Sequence, residues 1–167
     1  ALMRDQLDFL RSKGIAAAAL DSTLDANQSR ELMAQVERGE LKILMISVER
    51  LKNERFRRFI ARIPLSLLVV DEAHCISEWG HNFRPDYLKL PSYRQQLQIP
   101  QVLLLTATAT PAVIADMQRK FAIAPEHVVA TGFYRANLDI SVLPAPQARR
   151  DPMLLQLIAQ APRLPTI

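Results

Sequence analysis

The sequence contains a single cysteine, Cys75, so no disulfide can form within the chain. A lone thiol is typical of a reducing compartment, and we expect a cytoplasmic, intracellular protein. No run of about eighteen apolar residues occurs, so the sequence predicts no membrane span and no membrane partner. The first residues, Ala1 to Asp5, also lack the basic start and apolar core of a signal peptide.

Glycine is scarce, and its positions exclude a phosphate-binding loop within this chain. Such a loop needs a Gly-Lys-Ser/Thr sequence, because backbone amides and a lysine together hold the phosphates. The glycines are Gly14, Gly39, Gly80 and Gly132, and none precedes a lysine. Any nucleotide chemistry in this chain must therefore use other residues.

The charge balance is mildly basic, with 21 basic and 17 acidic residues and a net charge of +4. This balance is compatible with a polyanionic partner, although many proteins that bind no nucleic acid are equally basic. Hydrophobic residues make up 49% and charged residues 23%, which is typical of a globular protein rather than a disordered one.

Apolar runs of strand length alternate along the chain with segments of helical period. Strands are predicted at 15–20, 42–48, 65–70, 102–105 and 128–129. Helices are predicted over 2–10, 32–36, 51–63, after Pro85, over 110–121 and over 153–159. Because the strands are continuously apolar, this alternation predicts an α/β fold whose parallel sheet is covered by helices on both faces.

The segment 143–151 (LPAPQARRD) combines prolines with basic and polar residues, so we interpret it as a linker. It divides the chain into a first domain over 1–143 and the start of a second domain over 144–167. Both ends of the sequence suggest a truncated polypeptide. A parallel sheet that lacks its first strand and helix is expected to leave an apolar surface uncovered.

Asp71 and Glu72 directly follow the apolar run LSLLVV at 65–70. Ligands of open parallel sheets bind beyond the carboxyl ends of the strands, and adjacent carboxylates there suit nucleotide hydrolysis. The aspartate can hold Mg²⁺ through water, and the glutamate can accept a proton from the attacking water. The alternative is that the pair only caps the helix that follows, since carboxylates favour helix N-termini.

The surrounding motifs resemble those of RecQ-type helicases of superfamily 2. Residues 71–74 (DEAH) match the Walker B motif of these helicases, and 75–87 (CISEWGHNFRPDY) is similar to their aromatic-rich loop. Further similarities follow in family order: 1–6 to motif Ia, 47–51 to motif Ib, 106–109 to motif III and 133–138 to the segment that closes the first motor domain. At Ala136 the family usually has proline, which is a departure from the pattern.

This resemblance covers the chain to about residue 143 and implies a RecA-like fold, truncated at both ends. It implies an ATPase that uses ATP with Mg²⁺, moves 3′ to 5′ along single-stranded DNA and unwinds DNA at duplex junctions during repair or recombination. The family's phosphate-binding loop lies upstream of motif Ia and its arginine finger in the second motor domain. We therefore expect this polypeptide alone neither to hydrolyse ATP nor to unwind DNA.

Trp79, His81, Phe83 and Arg84 bring rings and a cation together within six residues. Bases stack on aromatic faces without regard to sequence, and arginine adds phosphate or cation–π contacts. With the resemblance, we expect this segment to sense DNA and to signal to Glu72. The alternative is that Trp79 and Phe83 simply pack in the core.

Other candidate site residues follow from their motif positions. Thr106 and Thr108 are expected to link the nucleotide site to the DNA groove, and His74 is expected to join Walker B to motif III by hydrogen bonds. The alternatives are a polar strand end and a buried histidine whose hydrogen bonds are purely structural. His74, Cys75 and His81 lack the spacing and number of a zinc site. Candidates for contacts with the DNA backbone are Arg4, Gln6, Ser47 and Arg50, each of which could equally be a solvated surface residue.

Two other functions fit the same residues. One is an RNA helicase of the DEAH or DEAD group, which the CISEWGHNFRP sequence disfavours. The other is a non-catalytic nucleic-acid-binding module that retains the fold; the presence of Glu72 disfavours it, because a binding module needs no general base.

Overall fold

The computed structural model describes residues 2–21, 24–79, 82–132, 137–138 and 141–160. The helices are α1 (Leu2–Ser12), α2 (Ala26–Glu37), α3 (Glu54–Ile60), α4 (Leu90–Gln96), α5 (Pro111–Phe121) and α6 (Arg150–Gln160). The strands are β1 (Ala17–Leu20), β2 (Ile43–Ile46), β3 (Leu67–Val70) and β4 (Gln101–Leu104). Short 3₁₀ turns cover Val48–Lys52, Ala73–Ile76, Pro85–Lys89, Pro125–His127 and Gln147–Arg149.

All strand pairs of the described residues are parallel, as the strand–helix alternation predicts. β1 pairs with β2, and Ala17 stands opposite Ile43. β3 pairs with β4, and Val70 stands opposite Leu104. Within the described residues these are two separate two-stranded ladders. Helices connect the strands of each pair, because parallel strands need a long crossover between them. The α/β class expected for a RecA-like domain is confirmed.

Several helix ends lie where the sequence predicts them. Asp25 begins α2 with a capping box: its side chain accepts the N–H groups of Asn27 and Gln28, and the Gln28 side chain accepts the Asp25 N–H. Thr110 caps α5, accepting the Val113 N–H, with Pro111 at the first helical position. Gly14, which follows α1, has a φ of 74°, a left-handed conformation that glycine adopts without steric cost.

The core of the first part of the chain lies between the strands and the helices that cover them. Its buried residues come from β1, β3, α2 to α5 and the turns after β2 and β3. They include Leu20, Val36, Leu51, Phe56, Phe59, Ile60, Val70, Ala73, Ile76, Leu90, Val113, Met117 and Phe121. Phe56 and Phe59 pack with their ring centroids 6.2 Å apart. The turn after β3 is thus anchored in the same core as α5.

One face of the β3–β4 ladder is exposed. Leu67 and Val69 are 44% and 50% exposed, while their neighbours Leu68 and Val70 contact the core. Leu103 and Leu105 are likewise exposed on and just after β4. The continuously apolar run therefore alternates in exposure, and the expected uncovered apolar surface is present within the described residues.

Several predicted elements differ from the structure: the helix predicted over 51–63 covers only Glu54–Ile60, and the strands predicted at 15–20 and 65–70 each begin two residues later. The strand predicted at 128–129 is absent from the described residues: Val129 is exposed and pairs with no strand there, and apolar character alone forms no ladder. The strand predicted over 42–48 ends at Ile46, because the chain enters a 3₁₀ turn at Val48. No helix of the described residues is long and apolar enough to cross a membrane.

Contacts within the chain define two compact units, Ala1–Val128 and Val129–Ile167. In the second unit, α6 carries exposed leucine and isoleucine side chains. These are Leu154, Leu155, Leu157 and Ile158. The predicted boundary at residue 143 and the assignment of α6 to a second domain stay predictions.

We expect Thr110→Ala to lower the free energy of unfolding by about 1 kcal/mol, because the Val113 N–H loses its capping acceptor at the start of α5. Urea denaturation followed by circular dichroism measures the change. Thr110→Ser keeps the hydroxyl and should behave like the native sequence. Equal stability of the alanine and serine variants would contradict the capping role.

Candidate nucleotide and nucleic-acid site

The carboxyl ends of β3 and β4 are held together beyond the last residues of the two strands. The Leu105 N–H donates to the Val70 carbonyl at 2.9 Å, and the Ala73 N–H donates to the Leu105 carbonyl at 2.9 Å. These bonds bring the segment after β3 alongside the segment after β4. Asp71 and Glu72 therefore lie at the edge of the sheet where parallel α/β folds bind ligands.

Asp71 and Glu72 are both exposed at this edge. Asp71 Oδ1 accepts the Glu72 N–H at 2.9 Å, and the Glu72 backbone has a φ of 50° and ψ of 40°. A left-handed conformation costs a non-glycine residue about 1–3 kcal/mol, and strained residues of this kind cluster at functional sites. Here it turns the chain sharply from β3 into the 3₁₀ turn at Ala73–Ile76 and leaves the Glu72 carboxylate facing solvent.

His74 connects the two strand ends. It is only 4% exposed, and its Nδ1 lies 3.0 Å from Thr106 Oγ1 and 3.3 Å from Glu72 Oε2. Thr106 Oγ1 also accepts the Thr108 N–H at 3.2 Å, which orders the turn after β4. A carboxylate only accepts hydrogen bonds, so the Glu72 contact favours the tautomer with the proton on Nδ1. The structure thus brings together four predicted site residues: Glu72, His74, Thr106 and Thr108.

Cys75 is buried beside this histidine, with its Sγ 3.7 Å from His74 Nε2. Burial raises the pKa of the Cys75 thiol; the nearby Arg84 acts in the opposite direction, and Glu72 raises the pKa further. A buried thiol of raised pKa is a poor nucleophile and a poor metal ligand. No group of three or more His, Cys, Asp or Glu side chains suited to a metal occurs among the described residues.

The aromatic segment, residues 75–87, is held by backbone hydrogen bonds and exposes several of its side chains. The Arg84 N–H donates to the Cys75 carbonyl at 3.1 Å, and the Trp79 N–H donates to the Ser77 hydroxyl at 3.3 Å. The Trp79 side chain is 78% exposed, and Phe83 and Arg84 are also exposed. Trp79 is therefore not a core residue, which removes the structural alternative for this side chain. His81 lies outside the described residues.

The predicted DNA-backbone contacts occupy two other places. Arg4 and Gln6 are exposed on α1, and Ser47 is exposed just before the 3₁₀ turn at Val48–Lys52. Arg50 is half-buried and donates from Nη2 to the Asp21 carbonyl at 3.2 Å. At least part of the Arg50 guanidinium thus supports the chain after β1.

A buried charged cluster near the aromatic segment was missed by the motif analysis. Asp116 and Lys120 of α5 pair at 2.8 Å, and both contact the turn that carries His74. The signal was present, because Val113, Asp116, Met117 and Lys120 follow the i, i+3, i+4, i+7 spacing of a buried helix face. Opposite charges four residues apart on such a face can pair along the helix.

Residues 1–117 match the family model of the DEAD/DEAH box helicases. The chain belongs to that family. It is 40% identical over 144 residues to the Bacillus subtilis ATP-dependent DNA helicase RecQ, an alignment that covers 86% of this chain and 24% of that protein. It is 35% identical over 138 residues to the Pasteurella multocida RecQ, covering 83% of this chain and 22% of that protein. The RecQ resemblance is confirmed.

The chain spans about a quarter or less of the length of these curated relatives. A third, "RecQ-like DNA helicase blm-1" of Caenorhabditis elegans, is 34% identical over 153 residues, covering 86% of this chain and 16% of that protein. Membership of the helicase family implies use of a nucleotide. The Asp71 and Glu72 carboxylates fit a hydrated Mg²⁺ chemically, because hard oxygen ligands with free lone pairs stand exposed at the sheet edge.

We expect Cys75 to resist thiol reagents in the folded protein at pH 8, because burial excludes the reagent and its raised pKa lowers the thiolate fraction. Absorbance after addition of a disulfide reagent measures the rate. The same chain in concentrated urea, where the thiol is accessible, is the control and should react completely. Comparable rates in both conditions would contradict the buried position.

Proposed function

We propose that this chain is part of the motor of an ATP-dependent 3′-to-5′ DNA helicase that couples ATP hydrolysis to movement along single-stranded DNA and to duplex unwinding. The observation that carries the proposal is the linked strand ends. Glu72, which stands exposed beside Asp71 after β3, contacts His74, and His74 contacts Thr106 after β4. Such a link lets a change at one strand end alter the other.

In this proposal the carboxylates carry out the chemistry and the buried residues hold them. Asp71 would hold a hydrated Mg²⁺, which would supply charge neutralisation for the phosphates. Glu72 accepts the proton of the attacking water. His74 orients the Glu72 carboxylate from 3.3 Å, and Thr106 fixes the His74 ring. Thr108 stands exposed beside them as a candidate contact to the nucleotide.

The DNA side of the proposal uses the exposed aromatic segment. A tryptophan 78% exposed offers a face for base stacking, which is worth about 1–3 kcal/mol per base. Phe83, Arg84 and His81 would add stacking and phosphate contacts, and Arg4, Gln6, Ser47 and Arg50 would contact the backbone. Stacking needs no particular base, as a translocating motor requires.

DNA rather than RNA is supported by the relatives, whose names describe DNA helicases. Repair or recombination, and action at duplex junctions, follow from the RecQ resemblance. ATPase stimulation by single-stranded DNA, compared with RNA of equal length, separates the two substrates. Stronger stimulation by RNA would reject the proposal.

We expect Glu72→Gln in the full-length protein to lower turnover of ATP by about 10²–10⁴-fold, because general-base catalysis contributes roughly that factor. Phosphate release in the presence of single-stranded DNA measures turnover. Glu78→Gln, another exposed carboxylate of the same segment, is the matched control and should change little. Undiminished turnover in Glu72→Gln would reject the role of this carboxylate.

We expect Trp79→Ala in the full-length protein to lower DNA-stimulated turnover more than turnover without DNA, since a stacking face worth about 1–3 kcal/mol is lost. Trp79→Phe should restore part of the stimulation because it keeps a ring. Phe9→Ala, which removes an exposed ring from α1, is the control for lost surface area. Full stimulation in Trp79→Ala would defeat the sensing role.

A further inference from the structure

Asp116 is a carboxylate buried in the middle of α5. It is 3% exposed, and its two oxygens receive Arg119 Nη2 and, at 2.8 Å, Lys120 Nζ. Burial alone would raise the pKa of the Asp116 carboxyl, but hydrogen bonds from Lys120 and Ser77 and the charges of Lys120 and Arg119 bring it below its ordinary value. The carboxylate is therefore charged and fully partnered at neutral pH.

The partners of Asp116 lie at the base of the aromatic segment. Lys120 Nζ also donates to the Ile76 carbonyl at 3.1 Å. The fully buried Ser77 lies beside Asp116, and its hydroxyl accepts the Trp79 N–H at 3.3 Å. A chain of contacts thus runs from α5 through Ser77 to the backbone of Trp79.

Helix α5 also begins at the other end of the site. Its N-cap, Thr110, follows the segment that carries Thr106 and Thr108, and Thr106 contacts His74. Two points of the segment at 74–77 are therefore bound to the part of the chain that runs from β4 into α5: His74 to Thr106, and Ile76 to Lys120 in the last turn of α5.

The other end of the aromatic segment is held separately. Lys52 Nζ pairs with Asp86 Oδ2 at 2.8 Å, which ties the segment to the 3₁₀ turn at Val48–Lys52. That pair is more exposed than the Asp116 pair, since the Lys52 side chain is 55% exposed against 26% for Lys120. A displacement of Trp79 would consequently act on the more buried Asp116–Lys120 pair on the α5 side and on the more exposed Lys52–Asp86 pair at the other end.

We propose that Asp116 and Lys120 are positioning residues that anchor the aromatic segment to α5, so that DNA contact at Trp79 is transmitted through α5 to Thr106 and His74. The inference rests on the proposed function, because it names the residues that couple the DNA side to the nucleotide side. The proposal assigns neither residue a contact with the nucleotide or the DNA. Buried ion pairs are weak evidence for added stability, so the role assigned to this pair is to fix the position of the segment.

The test uses the full-length protein carrying Asp116→Ala, Asp116→Asn or Lys120→Met. We expect the ratio of DNA-stimulated to DNA-free turnover to fall about 2- to 30-fold in Asp116→Ala and Lys120→Met, the range of mutations that disturb coupling. Asp116→Asn keeps one acceptor oxygen, which can still receive Lys120, and should restore part of the ratio. Gln118→Ala, which removes a contact to the Ile123 carbonyl on the same helix, is the matched control.

A second measurement is the fluorescence anisotropy of Trp79 in the absence of DNA. Trp79 is the only tryptophan of this chain, and subtracting the signal of matched Trp79→Phe variants isolates its fluorescence in a longer protein. We expect lower anisotropy in Asp116→Ala and Lys120→Met, because the Ser77 contact to the Trp79 N–H is loosened. Asp116→Asn should recover part of the anisotropy as it recovers the turnover ratio.

The outcomes separate this inference from the proposed function. Unchanged anisotropy with an unchanged turnover ratio in Asp116→Ala and Lys120→Met, while Trp79→Ala loses stimulation, would overturn the anchoring role alone. An equal loss of DNA-stimulated and DNA-free turnover in all three variants would overturn it in favour of a purely structural pair. Stimulation that survives Trp79→Ala would defeat the proposed function, whatever the Asp116 variants do.

Discussion

The parallel pairing of β3 with β4 is the constraint on which the rest of the site depends. Parallel strands end at the same edge, so the residues that follow them become neighbours although they are more than thirty positions apart along the chain. The bonds of Leu105 to Val70 and Ala73 extend this proximity past the strands. Without these bonds, the segments at 71–74 and 106–109 would be two unrelated turns.

The site divides into a buried supporting layer and an exposed working layer. His74, Cys75, Ile76 and Ser77 are almost completely buried, and their polar groups are hydrogen-bonded. The Asp71–Glu72 pair and Trp79, on either side of this buried run, face solvent. A polar group buried without a partner costs about 1–3 kcal/mol, so this supporting layer is held to one hydrogen-bonding arrangement. The exposed groups therefore stand on a rigid base and remain accessible to ligands.

Much of this arrangement could be predicted from the sequence. The features that could not be predicted share one physical cause. Local signals located the elements: glycine after α1, the Thr110–Pro111 start of α5 and the apolar run before Asp71. The strand predicted at 128–129 failed because a strand needs a partner, which composition does not reveal. The spacing along α5 places Asp116 and Lys120 on its buried face, but it does not reveal their neighbours Ile76 and Ser77, which lie about forty residues earlier in the chain.

Hydrophobic periodicity also failed to predict how far individual side chains are buried. The run LSLLVV suggests a strand buried on both faces, yet Leu67 and Val69 are half-exposed within the described residues. Conversely, Trp79 belongs to a residue type that is usually well covered, and it is one of the most exposed side chains here. The resemblance to RecQ-type helicases anticipated that exposure, whereas hydrophobicity alone predicted the opposite.

The left-handed backbone at Glu72 limits which replacements can isolate the chemistry of its carboxylate. β-Branched residues fit this region of φ and ψ poorly, so valine or threonine there would move Ala73 and the His74 ring along with the removal of charge. Glycine would do the reverse, relaxing the turn while deleting the side chain. Only a replacement of nearly the same shape, such as the primary amide, separates the loss of a proton acceptor from a change in the path of the chain.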